Sequence, residues 1–97
     1  MVPLDDALEA LADHRRRRLL LSLRESESPI ETVSVPEDLI SGTPTDGVRV
    51  AYTHVHLPML EEMGYVHWDR RHHEVSEGPQ FDELGPLLDV VEEYGDE

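Results

Sequence analysis

The side chains that could do chemistry here are six His, eight Arg and 22 Asp plus Glu, with no Lys and no Cys. His54 and His56 lie two apart, which on a helix separates them by about 200°, so they do not share a metal. His72 and His73, if extended, point to opposite faces. With no Cys and no H-E-x-x-H pattern, neither a metal nor another cofactor is expected. There is no glycine-rich phosphate loop and no nucleophile motif. Glu61-Glu62 and Glu92-Glu93 are explained by surface solvation, so no enzyme chemistry is expected. What remains is binding chemistry. Arg49, Tyr52, His54 and His56, then Arg70, Arg71 and His72, are residue types that hydrogen-bond base edges and phosphates. The plainer alternative is an ordinary surface, with the hairpin arginines paired to acids. Arg15 to Arg18 are consecutive and point four ways around a helix, so they form no single patch. Two or three of them are expected to pair with Asp13, other acids or a partner subunit.

The charge distribution narrows where such binding could occur. The chain is 97 residues long, enough for one domain (1–97), and its net charge is −14. Residues 49–73 are neutral overall: Arg49, Arg70 and Arg71 balance Glu61, Glu62 and Asp69. That stretch also holds five of the six His, so a nucleic-acid surface is sought there. An acidic surface without Lys resembles that of a halophile's cytoplasmic protein, kept hydrated and screened by abundant cations. Apolar runs stay as short as Leu19–Leu21, and the chain turns acidic by Asp5. No membrane span or signal peptide is expected, and the expected location is the cytoplasm. The absence of Cys excludes disulfides and thiol chemistry.

The elements that must position these residues follow from periodicity. Leu4, Leu8, Leu11, Leu19 and Leu23 form one stripe, predicting a single helix from Pro3 to about Glu25. A break at Ser26–Pro29 precedes a short strand, Thr32–Val35, and a short helix, Pro36–Ile40. Ser41–Gly47 is a loop. A helix over Val48–Met63 has Val50, Leu57 and Leu60 on one face and ends at Gly64. On that face Val50 and Thr53 point inward, Tyr52, Val55 and Met59 outward, and Arg49, His54 and His56 lie on the flanks. Tyr65–Trp68 and His73–Ser76 read as strands of a hairpin around Asp69–His72. Phe81, Leu84, Leu88 and Val91 mark a last helix within 79–95, kinked or restarted at Gly85-Pro86.

The order is helix, short strand, helix, helix, β-hairpin, helix. It predicts an α+β fold of the winged helix-turn-helix kind, with a third helix able to enter a major groove and the hairpin as wing. The run His56-Leu57-Pro58-Met59-Leu60-Glu61-Glu62-Met63-Gly64-Tyr65-Val66 resembles the stretch in ArsR-like winged-helix repressors where the recognition helix runs into the first wing strand. Following "ALADHRRRRLLLSL", it is also similar to a haloarchaeal winged-helix family of uncharacterised function. The resemblance covers roughly residues 4 to 76. It implies a DNA-binding regulator of transcription acting on double-stranded DNA. Pro58 inside the helix and the long link Ser41–Gly47 depart from the repressor pattern.

Two functions are weighed. One is DNA binding through Arg49, Tyr52, His54 and His56 on the helix, with Arg70, Arg71 and His72 on the wing. The other is a winged-helix protein-interaction module without DNA binding, which suits the charge of −14 and the outward Val55 and Met59. A homodimer is expected, through Leu20 of the first helix and Phe81, Leu84, Leu88, Val91 and Tyr94 of the last.

Overall fold

Most of the apolar residues expected at a dimer surface are in fact what closes the core. In the computed structural model, which describes residues 4–25, 32–39 and 43–94, one core gathers Leu19, Leu20 and Leu23 with Tyr52, Leu57, Leu60, Tyr65, Val75, Phe81, Leu84 and Leu88. The chain forms helices α1 (Leu4–Ala10) and α2 (His14–Glu25), strand β1 (Val33–Ser34) and a 3-10 turn (Glu37–Leu39). Next come α3 (Asp46–Ala51), a π turn (Tyr52–His56) and α4 (Leu57–Glu62), which run on as one helical rod. Strands β2 (Val66–Asp69) and β3 (Glu74–Glu77) make a hairpin, and a 3-10 turn (Phe81–Leu84) leads into α5 (Gly85–Tyr94). This is an α+β architecture with a small antiparallel sheet in the order β1-β3-β2. Val33 pairs with Val75, and Trp68 faces Val75 from the other side. Pro3, Ser26–Pro29, Ile40 and Ser41 lie outside the described residues.

The single first helix is two. α1 ends at Ala10, and Asp13 starts α2 by accepting the Arg15 amide at 2.8 Å, as an N-cap acid does. The elbow is held by arginines. Arg16 donates through Nε to the Ala10 carbonyl at 3.0 Å and through Nη2 to the Glu9 carbonyl at 2.8 Å. Arg17 reaches the Leu11 carbonyl at 2.7 Å, and Arg18 the Leu39 carbonyl at 3.0 Å. Arg16, Arg17 and Arg18, for which acids were expected, thus reach main-chain carbonyls, and those of Ala10 and Leu11 lie at the end of α1, where a helix leaves acceptors without partners. The elbow also breaks the leucine stripe: Ala7, Ala10 and Leu11 face the core, while Leu4 and Leu8 are exposed.

The rod begins at Thr45, whose Oγ accepts the Val48 amide at 3.2 Å. It ends in a Schellman cap, with Gly64 at φ 83°, the Tyr65 amide on the Leu60 carbonyl at 3.0 Å and the Gly64 amide on Glu61 at 3.0 Å. The hairpin then packs against this cap so closely that a Cβ at Gly78 would lie 2.5 Å from the Gly64 oxygen. Both strands are shifted one residue later than expected, so the turn is Arg70–His73, with His73 at φ 56°.

α5 lies against α2, tied by Arg24 to Asp89 and, at 3.6 Å, to Glu92. That docking overturns most of the expected dimer surface. Leu20, Phe81, Leu84 and Leu88 are buried within the subunit's own core, and Val91 is half-buried against it. Of those residues only Tyr94, 85% exposed, is open, with Val90 beside it on the same helix.

Candidate nucleic-acid interface

Helical phase decides which residues of the rod meet solvent, and the π turn resets it. The Leu57 amide bonds to the Tyr52 carbonyl, five residues back, so one turn contains an extra residue. Pro58 follows at once and has no amide of its own to give to His54. Upstream of the turn the inward face therefore moves from Val50 and Thr53 to Val48 and Tyr52. Downstream, Leu57 and Leu60 face inward as expected.

Two residues anticipated at the interface are consequently internal. Tyr52 is 1% exposed, and its hydroxyl donates to the Arg15 carbonyl at 3.2 Å. His56 is 3% exposed, edge-on to the Tyr52 ring at 5.5 Å. Its Nδ1 lies 3.0 Å from Arg16 Nη1, and its Nε2 lies 3.8 Å from Asp13 Oδ1. A guanidinium can only donate, so Nδ1 accepts and the imidazole proton sits on Nε2, towards Asp13. Burial holds the His56 pKa below the ordinary histidine value. The positive Arg16 and Arg15 act in the same direction, and Asp13 opposes them. Burial alone would raise the Asp13 pKa, but the Arg15 amide and the nearby His56 and Arg16 outweigh it. These three residues join the rod to the α1–α2 elbow.

The solvent side of the rod carries Arg49, Val50, His54 and Val55, with Thr53 partly exposed. Val50 is 53% exposed and Val55 51%. Met59, expected to point outward, is half-buried. The Thr53 hydroxyl donates back to the Arg49 carbonyl at 2.8 Å. Arg49 itself pairs with Glu37 at 2.6 Å. From residue 47 to residue 60 the rod has no Asp or Glu, although the chain has 22.

The hairpin turn lies next to the rod. Arg70 packs its guanidinium 4.2 Å over the Trp68 ring and bonds Glu61 of α4 at 3.1 Å. Asp69 folds the turn by accepting the Arg71 and His72 amides at 3.1 and 3.2 Å. Its other oxygen lies 2.8 Å from His72 Nδ1. That bond raises the His72 pKa above the usual histidine value and lowers that of Asp69. The Arg71 guanidinium has no partner among the described residues. Glu37, bonded to Arg49, also lies within electrostatic reach of His73, so the turn and α3 converge on one acid.

The structure thus brings Arg49, His54, Arg70, Arg71 and His72 to the surface and withdraws Tyr52 and His56. Arg70 is paired to an acid, as the plainer alternative has it, but neither Glu61 as its partner nor Glu37 as that of Arg49 was anticipated. Nothing in their sequence spacing marks either acid as a partner. Among the described residues no His, Asp and Glu side chains gather as a metal would require, and no helix is long and apolar enough to cross a membrane. Compared with protein-family models, curated proteins and solved structures, the chain has no match.

Proposed function

We propose that this chain is a winged-helix DNA-binding regulator of transcription working in a salt-rich cytoplasm, with no catalytic step. The rod would lie in the major groove and the Arg70–His73 turn on the backbone or minor groove. The observation that carries the reading is the juxtaposition of an acid-free helical face with a turn bearing Arg70, Arg71, His72 and His73, in a chain whose net charge is −14. The sheet order β1-β3-β2, with the rod feeding directly into β2, is compatible with a winged helix. Carboxylates repel phosphates; residues 47–60 of the rod carry none, and of the acids beside them Glu37, Glu61 and Asp69 are each bonded to Arg49, Arg70 or His72.

Exposed Val50 and Val55 favour a second reading, a protein-interaction module. Mobility shifts with genomic DNA fragments in concentrated potassium chloride separate the two. Retarded fragments support the regulator, and no shift at any salt concentration hands the chain to the second reading.

A further inference from the structure

The contacts available for reading base edges can be found by elimination. Tyr52 and His56 are internal. The Thr53 hydroxyl is committed to a carbonyl of its own helix, and the Arg49 guanidinium to Glu37. Between residues 47 and 60 of the rod, His54 is the one polar side chain that stands exposed without a partner among the described residues. The other exposed side chains are Val50 and Val55, each about half open to solvent. A major-groove edge offers an aliphatic side chain one complementary feature, the thymine C5-methyl.

We propose that the rod selects thymine-bearing sites through methyl contacts from Val50 and Val55, so that its preferred duplexes are rich in A·T pairs. This rests on the DNA-binding reading and adds the chemistry by which the same face discriminates. Contacts between apolar groups persist at high salt, where the charge contacts that usually dominate DNA affinity are screened. With Arg49 held by Glu37, the face has little polar capacity to recognise guanine instead. Removing one methyl contact should change affinity about fourfold, the value of one buried methyl-sized group.

The test uses the full-length chain in molar potassium chloride and fluorescence anisotropy with three labelled duplexes two helical turns long. One alternates A and T, one replaces every thymine by deoxyuridine, and one alternates G and C. The A·T duplex should bind at least about fourfold more tightly than the A·U duplex, which lacks only the methyl groups. In a Val50→Ala, Val55→Ala variant the A·T and A·U duplexes should bind alike. Both sites are exposed on a helix, and alanine favours helix, so the variant should fold. Equal binding of A·T and A·U by the unmodified chain overturns the methyl inference and leaves DNA binding standing. A preference undiminished in the variant also overturns it, by moving the methyl contact elsewhere. No binding to any duplex overturns both the inference and the reading beneath it, in favour of a protein partner.

Discussion

Arg16 does what a lysine could not. Its planar fork serves two carbonyls of α1 and the ring nitrogen of His56 at once, from a buried position. Arg16→Ala leaves buried acceptors unpaired and should destabilise the fold by about 3 kcal/mol in urea melts. Arg16→Lys should recover less than half of that loss, because an ammonium is a point donor. If lysine restores full stability, the fork geometry is irrelevant. His56 contributes a pH dependence whose sign is fixed by its lowered pKa. The unfolded chain takes up a proton near 6.5, while the folded chain resists it because burial disfavours the imidazolium and Arg16 lies against Nδ1. Stability is therefore fully present above that value and declines as pH falls from there towards the folded pKa. A His56→Gln variant should lose less stability than the native chain between about pH 7 and pH 5. The opposite contribution of His72, whose pKa is raised, sits on the exposed turn and is screened. Parallel melts that fall equally would remove His56 as the source.

At the scale of elements, the hairpin turn divides its two arginines by role. Arg70 is committed to Trp68 and Glu61, whereas Arg71 is unpartnered among the described residues. Arg71→Ala should weaken binding to all DNA sequences by roughly 1–3 kcal/mol. Arg70→Ala should cost less binding and more stability, by anisotropy and melts respectively. The hairpin was legible from its β-branched and aromatic alternation to within one residue, and the end of the rod from Gly64, because both signals are local. The elbow was missed because leucine periodicity ran through it. Asp13 before His14 was the available signal, an N-cap in the middle of an apparent helix. The inward face of the rod upstream of Leu57 could not be read because constant helical spacing has no place for a π turn. The burial of Leu20, Leu84 and Leu88 was misassigned to a second copy, since composition cannot say how far α5 folds back onto α2.

For the whole molecule the deciding quantity is the charge of −14 brought up to a polyanion. Basic proteins release counterions on binding and lose affinity steeply with salt. Here cations must instead accumulate between two negative surfaces. Affinity for DNA should stay flat or rise with potassium chloride wherever circular dichroism shows the fold intact. A steep fall in affinity with salt would contradict this cation uptake. Val90 and Tyr94 are the large apolar side chains that α5 leaves exposed for a second copy. A dimer through them would be smaller than the terminal-helix pairing expected from sequence.

The π turn can also be viewed as an edit to the chain. Tyr52 and Leu57, five apart, occupy inward positions that an α-helix would link with four residues. The segment between them is one residue longer than the core requires, and Pro58 makes plain helix costly there. Deleting Thr53 together with Pro58→Ala should leave both ends of the rod in place. Helical ellipticity and melting temperature should be preserved while DNA affinity is lost, because His54 and Val55 are swung to new positions. The fold would accept the shorter chain, and only the reader would notice the missing letter.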